Sequence, residues 1–277
     1  MLNPQYIILF HHFREMLKQA NEAGVEMIPL KGAHLLTSVY PEEEDRGTIA
    51  DVDFLVRDRD WHRARRLLRA YGFAPREHFA DESNRYEQGF HFTLPNGKHF
   101  LFEVHRHLVA PSRFSIDTEG IWRRAYASDF EGIPCLRMAD EDVFCHVAWH
   151  SAIHRFMNHE RTLRDLELVL THSNAAGKII ERAREWQVTR VVWLYLTLLR
   201  DRLETPTPAT PLGHFIEIVA PPFYIQKMLL TLVGNGDETR FSMLHHRAQA
   251  ALIWPLIFDS KRQLMQMIAH HPRLSRD

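Results

Sequence analysis

The stretch Asp51-Val52-Asp53-Phe54-Leu55-Val56 places a pair of carboxylates at the start of an apolar, β-rich run. Residues two apart on a strand point to the same face, so Asp51 and Asp53 are expected to lie side by side. Val52 and Phe54 then face the opposite, buried side. Two like charges this close repel each other unless a cation lies between them, and carboxylate oxygens suit Mg²⁺ or Mn²⁺ better than Zn²⁺. The stretch therefore predicts a strand that presents a metal-binding pair.

A third carboxylate lies in a later apolar run, Leu101-Phe102-Glu103-Val104-His105. The neighbours of Glu103 would anchor this run in a sheet, so a charge at that position needs a partner. A three-carboxylate site with the D-x-D pair would supply one, and such a site can hold two metal ions that clamp the attacking and leaving oxygens of a phosphoryl displacement. The alternative is structural: D-x-D pairs are common on surfaces, and Glu103 could be a strand-face residue paired with Lys98 or Arg106.

The sequence Leu30-Lys31-Gly32 lies at a predicted turn from a strand, Val25 to Leu30, into a helix, Gly32 to Tyr40. Glycine lets a phosphate approach the backbone, and the free N–H groups at a helix start attract anions. Lys31 adds a positive charge at the same place. A Lys-Gly pair at a turn is often only a break between two elements, so this turn becomes a phosphate-binding candidate through its combination with the carboxylates.

The predicted elements divide the chain into two halves. The first half begins with an amphipathic helix and continues with strands, short helices and hairpins, among them the hairpin formed by Phe90 to Leu94 and His99 to His107. Later, helical spacing predicts helices over 140–157, 161–172, 175–187, 189–203, 222–233 and 240–270, with a break near Pro255. We therefore expect an α+β fold, with a mixed-sheet domain over residues 1–138 and an all-α helical domain over residues 139–277.

In chain order these features are a strand, the Lys-Gly turn, a helix, the D-x-D strand and a strand with the third carboxylate. This order resembles the nucleotidyltransferase superfamily of polymerase-β type. More narrowly, it is similar to a bacterial nucleotidyltransferase family whose members share three motifs. These are an L-K-G turn, an R-x(4)-D-x-D-x-L-V strand that begins here at Arg46, and an E-x-H strand, here Glu103-Val104-His105. The resemblance continues through His146–His150 and Arg161–Leu166.

The resemblance implies a polymerase-β-like mixed sheet with flanking helices, and an NTP, ATP among the candidates, bound through Mg²⁺ or Mn²⁺. It also implies transfer of a nucleoside monophosphate from that NTP to an unidentified acceptor, a small molecule, peptide or protein, while pyrophosphate leaves. By this resemblance Asp51 and Asp53 ligate metal. Glu103 ligates a second metal or orients and deprotonates the acceptor hydroxyl.

Four further site residues follow from the same resemblance. Lys31 and Gly32 would hold the triphosphate, and Arg46 would stabilise its charge. His105 shares the strand face of Glu103 and is expected to line the site. This chain departs from the better-known members of the superfamily at the phosphate turn, where they carry Gly-Ser and it carries Lys-Gly.

Three histidines, His146, His150 and His154, recur at every fourth position of a predicted helix and so share one face. Histidines at this spacing can bind a transition metal, which would fit a metal-dependent phosphohydrolase. They can also be structural residues that pack across the seam between the two predicted domains, or His150 or His154 can face the active-site cleft and contact nucleotide or acceptor. The sequence has no H-E-x-x-H signature. A further alternative is a non-catalytic module on the same fold that senses nucleotide or binds a partner protein.

The bulk composition favours no particular class of partner. Of the 277 residues, 34 are Lys or Arg and 35 are Asp or Glu, so the net charge of −1 lacks the basic excess that is common in nucleic-acid-binding proteins. Cys135 and Cys145 form no CxxC pair and fit a reducing compartment. The first residues show no secretory pattern, and the longest apolar stretch, Val191 to Leu199, is about half of what a bilayer crossing needs. We therefore expect a cytoplasmic protein without a membrane or nucleic-acid partner.

Overall fold

The structure, a computed structural model, describes residues 4–40, 49, 51–76, 85–94, 97, 99–111, 114, 116–173, 176–202, 212–234 and 246–270. The chain divides into two units. The first unit comprises Met1–Pro111 and Ile116–Ala139, and the second comprises Ser112–Ser115 and Asp140–Asp277.

The first unit contains a five-stranded sheet. Its strands are β1 (Met27–Leu30), β2 (Asp51–Val56), β3 (Ala74–Pro75), β4 (Glu87–Thr93) and β5 (His99–His105). They lie in the order β1-β2-β5-β4-β3; β2 and β5 pair in parallel, and the other neighbours pair antiparallel. The sheet is therefore mixed, as predicted, and its parallel pair is formed by the strands that carry the D-x-D pair and the third carboxylate.

Helices and a hairpin complete the described part of the first unit. They are α1 (Pro4–Glu22), α2 (Lys31–Ser38), α3 (Trp61–Ala70), α4 (Thr118–Arg124) and the hairpin of β6 (Tyr126–Phe130) with β7 (Ile133–Arg137). A 3-10 turn, Asp58–Asp60, precedes α3. Because α2 follows β1 directly, Lys31 is both the residue after a strand and the first residue of a helix. The prediction of a mixed α and β first half is confirmed.

The core of the first unit lies on one face of the sheet. Alternate residues of β2 and β5 point to that face, and Val52, Phe54 and Phe102 are fully buried there. The Phe13 ring of α1 packs on Phe54 and Phe102 with centroid distances of 5.9 and 6.0 Å, which lie within the usual range for aromatic pairs. These contacts hold β2 and β5 from one side, so the carboxylates on the opposite face stand on a rigid support.

The described part of the second unit is helical, as predicted. Its helices are α5 (Asp140–Ile153), α6 (His159–His172), α7 (Ala176–Glu185), α8 (Thr189–Arg202), α9 (Leu212–Ile218), α10 (Phe223–Leu229), α11 (His246–Ile257) and α12 (Lys261–Ala269), with a π-helical segment, Leu230–Gly234, after α10. Phe114 stacks on Trp149 of α5 with 4.4 Å between centroids, a contact within the second unit. None of the described helices is by itself long and apolar enough to cross a bilayer, although the bent pair Leu212–Ile218 and Phe223–Val233 meets both conditions together.

Several helix ends differ from the prediction. α5 ends at Ile153 instead of residue 157, because Arg155, Phe156 and Asn158 have left-handed backbones with φ of 59°, 58° and 61°. A left-handed residue cannot continue a right-handed helix. The short helix α9 was not predicted.

The predicted break near Pro255 lies later in the chain. α11 continues through Pro255 to Ile257. The next helix, α12, begins after Ser260, whose side chain accepts a hydrogen bond from the Gln263 backbone N–H, while the Gln263 side chain accepts one from the Ser260 backbone. This capping box, and not the proline, starts the new helix.

Candidate active site

The pairing of three strands brings a lysine, an aspartate and a glutamate together. Leu30, the last residue of β1, lies opposite Asp53 in β2, and Lys31 follows it directly. On the other side of β2, Asp53 lies opposite Glu103 in β5. Residues that lie opposite each other share a sheet face, so these side chains project away from the aromatic core. His105 is two residues beyond Glu103 and shares its face.

Asp53 is the centre of the resulting cluster. Its side chain is almost completely buried, at 3% exposure, and Oδ1 accepts two hydrogen bonds. The Lys31 ammonium donates one over 2.7 Å, and His105 Nε2 donates the other over 3.0 Å, since an ionised carboxylate can only accept. A buried carboxylate is strongly destabilising unless it is paired. Here an ammonium and an imidazole provide that pairing at a single oxygen.

The charges of Asp53 and Lys31 stabilise each other. Burial by itself would raise the pKa of Asp53, but the Lys31 ammonium and the His105 imidazole lower it well below its ordinary value. Burial would likewise lower the pKa of Lys31, whereas attraction to Asp53 and Glu103 raises it above its ordinary value. Both groups are therefore charged throughout the physiological pH range.

The pKa of Glu103, unlike that of Asp53, is raised. Burial, and then repulsion by Asp53 and Glu87, raise the pKa of Glu103 from 4.5 to about 8, although Lys31 acts in the other direction. Near neutral pH the metal-free site therefore holds a proton on Glu103, which is hydrogen-bonded to Asp53. The repulsion between these carboxylates would be relieved by a cation bound among them.

Asp53, Glu103 and His105 form a set of potential metal ligands. One ligand atom from each side chain can be chosen so that all three lie within 4.8 Å of one another. Among the residues that the structure describes, this is the group of three or more His, Cys, Asp or Glu side chains that comes this close. Two carboxylate oxygens and an imidazole nitrogen suit Mn²⁺, and the carboxylates also suit Mg²⁺. The donor chemistry therefore fits a divalent cation.

Asp51, the other predicted metal ligand, lies outside this set. Asp51 opens β2 on the face of Asp53 and lies opposite Leu101 in β5. Although burial opposes it, the charge of Asp51 adds to the rise in the pKa of Lys31, so the two groups are within electrostatic reach of each other. Arg46 lies outside the described residues.

In the Lys31-Gly32 turn, the residue with the unusual backbone conformation is the lysine and not the glycine. Lys31 has a φ of 47°, in the left-handed region that favours glycine. Gly32 is not left-handed; it is buried in the first turn of α2. A side chain in the left-handed region costs about 1–2 kcal/mol. That strain at Lys31 is offset by its ion pair with Asp53, which the turn places within reach.

Glu87 was not among the residues predicted from the sequence. It is the first residue of β4 and lies directly opposite His105 in β5. Its Oε2 lies 3.6 Å from His105 Nδ1. The predicted strand began at Phe90, so Glu87 fell outside it. Extending the alternation of β4 backwards from Phe90 would have placed Glu87 on the face of the site.

The three histidines of the second unit form a separate row. His146 and His150 lie in α5 with ring centroids 6.2 Å apart, and His154 follows the end of α5 with its centroid 4.4 Å from that of His150. Within the described ranges, they do not bring three metal-ligand atoms together as Asp53 and its neighbours do. The geometry therefore favours the structural interpretation of these histidines.

Comparison with known proteins identifies the family. No curated protein matches the chain. Among solved structures, it is similar to an antigenic nucleotidyltransferase-like protein from Paracoccidioides brasiliensis, with 16% identity and a TM-score of 0.42, over 60% of this chain and 76% of that chain. A likeness this weak carries no weight. Residues 5–204, however, match the profile of a family described as "Uncharacterised nucleotidyltransferase", and this range includes the whole sheet and the Asp53 cluster. The chain therefore belongs to this nucleotidyltransferase family.

Proposed function

We propose that the protein is a metal-dependent nucleotidyltransferase that transfers a nucleoside monophosphate from an NTP to an acceptor. The observation that carries this proposal is the convergence of Asp53, Glu103 and His105 within 4.8 Å, beside Lys31, in a chain of this family. The acceptor is a small molecule, a peptide or a protein.

The buried members of the cluster are suited to hold a cation. Asp53 and His105 are both almost fully buried, and Asp53 Oδ1 and His105 Nε2 lie only 3.0 Å apart, so two potential ligand atoms are held close together. Glu103 is more accessible, at 23% exposure, and can reach both a metal and an acceptor. When bound, a divalent cation would neutralise the carboxylates and phosphate oxygens and lower the pKa of Glu103. Asp51 adds a carboxylate on the same face, where a second cation could be held.

Transfer requires the acceptor hydroxyl to lose a proton while its oxygen attacks the α-phosphorus. In this proposal Glu103 takes that proton on a carboxylate oxygen, because a bound cation would keep this carboxylate ionised and its partly exposed side chain can reach the acceptor. The bond from the α-phosphorus to the bridging oxygen breaks, and pyrophosphate leaves with the electron pair. The ammonium of Lys31 neutralises charge on the phosphates, and Gly32 and Arg46 complete the proposed phosphate contacts.

A second candidate function is a non-catalytic module that senses nucleotide or binds a partner protein. One observation favours it: Lys31 and His105 already pair with the buried carboxylate of Asp53. The cluster could therefore be retained because it stabilises the fold, without any chemistry.

Thermal unfolding with ATP, GTP, CTP or UTP, each with and without Mg²⁺ or Mn²⁺, tests nucleotide binding. A ligand at a hundredfold excess over its Kd stabilises the folded protein by about 2.7 kcal/mol. We expect a metal-dependent shift with at least one NTP. Asp53→Asn and Glu103→Gln should abolish the shift, whereas Glu22→Gln, which changes an exposed carboxylate of α1, should retain it.

Transfer itself is measured as pyrophosphate release and as movement of an α-phosphate label from the NTP to a component of a cell extract. Release by the wild type that Asp53→Asn lacks would support the transferase. A metal-dependent NTP shift without label transfer to any extract fraction would favour the nucleotide-sensing module. No shift with any NTP would contradict the proposal and favour a partner-binding module.

A further inference from the structure

One ring nitrogen of His105 is buried and, among the described residues, has no hydrogen-bond partner. This atom is Nδ1, while Nε2 lies 3.0 Å from Asp53 Oδ1. A carboxylate oxygen, Oε2 of Glu87, lies 3.6 Å from Nδ1, just beyond hydrogen-bonding distance. Buried polar atoms are nearly always paired, so this arrangement has to be explained.

The two nitrogens of a neutral imidazole share one proton. With the proton on Nε2, His105 donates to Asp53, and Nδ1 presents a lone pair toward the carboxylate of Glu87. With the proton on Nδ1, Nε2 presents its lone pair toward Asp53 and Glu103, which is the form that binds a metal. This second form needs an acceptor for Nδ1–H, and Glu87 lies where that acceptor has to be.

The sheet holds Glu87 at this position. Glu87 and His105 are opposite residues of the antiparallel pair β4–β5. The next residue, Gln88, anchors this end of β4, because its Nε2 donates to the Arg76 carbonyl over 2.8 Å and its Oε1 accepts from Arg85 over 2.7 Å. The Glu87 side chain is only partly buried. A side-chain rotation can therefore close the remaining gap to Nδ1 while the backbone stays in place.

We propose that Glu87 is a positioning residue that selects the metal-binding tautomer of His105. This inference rests on the proposed function, because it requires a divalent cation at Asp53, Glu103 and His105. Glu87 accepts the Nδ1–H, and the Nε2 lone pair then faces the cation. Carboxylates that orient metal-bound histidines typically strengthen metal binding by about ten- to hundredfold.

Glu87 also acts through its charge, and the two effects have to be separated. Its carboxylate adds to the negative potential at Glu103, which would attract any cation whatever the tautomer of His105. Glutamine lacks this charge, but its amide oxygen can still accept from Nδ1–H. Alanine lacks both the charge and the acceptor. Glu87→Gln and Glu87→Ala therefore distinguish charge from tautomer selection.

Binding of Mn²⁺ to the full chain tests the proposal. Titrations followed by electron paramagnetic resonance give the Kd, and electron spin echo spectra detect an imidazole nitrogen coordinated to Mn²⁺. The wild type is compared with Glu87→Gln, Glu87→Ala and Glu22→Gln, the last of which removes an exposed carboxylate of α1. Circular dichroism verifies that each variant is folded.

We expect the wild type and Glu22→Gln to bind Mn²⁺ with the same Kd and to show the nitrogen coupling. Glu87→Ala should weaken binding by about ten- to hundredfold and lose the coupling. Glu87→Gln should weaken binding by less than about tenfold and keep the coupling.

Equal losses of affinity in both Glu87 variants, with the nitrogen coupling intact, would overturn the inference, because Glu87 would then act through charge alone. Mn²⁺ binding by the wild type without nitrogen coupling would overturn it as well, while the proposed function would stand on the carboxylates. Absence of Mn²⁺ binding in the wild type would contradict both the inference and the proposed function.

Discussion

Replacing Glu103 with glutamine should make the stability of the metal-free protein less dependent on pH. Burial, and then repulsion by Asp53, raise the pKa of Glu103 from 4.5 to about 8 in the folded protein. The folded protein therefore holds this proton more tightly than the unfolded chain does. The stabilisation that this tighter proton binding gives the folded protein is complete below pH 4.5 and is lost as the pH rises through about 8. Glutamine is neutral at every pH, so Glu103→Gln does not undergo this loss.

The size of the effect follows from the shift. One pKa unit corresponds to about 1.4 kcal/mol, so a rise from 4.5 to about 8 corresponds to roughly 5 kcal/mol at most. Water reaches the exposed part of Glu103, 23% of its side chain, and screens its charge, which reduces this value. We expect the stability advantage of Glu103→Gln over the wild type to grow by about 2–4 kcal/mol between about pH 5 and about pH 8.5.

Urea unfolding of the wild type, Glu103→Gln and the control Glu22→Gln in the presence of a chelator measures this difference. Amide hydrogen exchange in β2 and β5 reports on the first unit separately from the helical second unit. Other titrating groups affect the wild type and the variants alike, so their contributions cancel. A difference that stays constant within about 0.5 kcal/mol over this pH range would refute the reasoning, because Glu103 would then be ionised in the folded protein.

Four further predictions concern other properties of the first unit. Because Glu103 holds a proton near neutral pH, Mn²⁺ binding at pH 7 should release about 0.9 proton, and much less at pH 9. Calorimetry in buffers of different ionisation enthalpy measures the number of protons released. Equal release at both pH values would argue against a pKa of Glu103 near 8. Lys31→Met should strengthen Mn²⁺ binding severalfold, because the Lys31 ammonium competes with Mn²⁺ for Asp53, and it should weaken NTP binding. Titrations measure both affinities. Weaker Mn²⁺ binding by the variant would contradict this competition. Asp53→Asn should lower the unfolding free energy of the metal-free protein, measured in urea, by roughly 2–3 kcal/mol, because it leaves the Lys31 ammonium without its buried partner. Asp51→Asn should lower it by less than about 1 kcal/mol. Similar losses in the two variants would show that Asp53 is no more important than Asp51 for pairing with Lys31. Burial, assisted by the charge of Arg137, lowers the pKa of His34 to about 3, so stability should fall as the pH drops below 6.5. The stability of His34→Gln, followed by circular dichroism, should be less sensitive to acid. An acid transition that is the same in wild type and variant would contradict a neutral His34.

The two faces of β2 could be predicted from the sequence, because the alternation of a strand needs no tertiary information. Val52 and Phe54 are buried in the aromatic core, and Asp53 projects from the other face. Alternation does not say which strands are neighbours. The parallel pairing of β2 with β5 depends on the path of the chain between them. The expectation that Asp53 and Glu103 meet therefore rested on the need of a mid-strand carboxylate for a partner and on the family resemblance.

Glu87 shows a second limit of the sequence pattern. The apolar alternation of β4 identified Phe90 and its successors, but a strand can extend beyond its apolar residues without changing that pattern. The helix end at Ile153 has a similar cause, since apolar residues continue after it and only the left-handed backbones of Arg155 and Phe156 stop the helix. A helix as short as α9 contains too few turns to show a periodicity.

The left-handed backbone of Lys31 has a consequence for how this protein can diverge. Glycine would relieve about 1 kcal/mol of strain at this position. It would also leave the buried carboxylate of Asp53 without its ammonium, at a cost of about 3 kcal/mol or more. The folded chain therefore benefits from lysine whether or not a nucleotide is ever bound. A descendant that had lost all catalytic activity would still be under selection to keep this lysine, so its presence alone does not distinguish an active homologue from an inactive one.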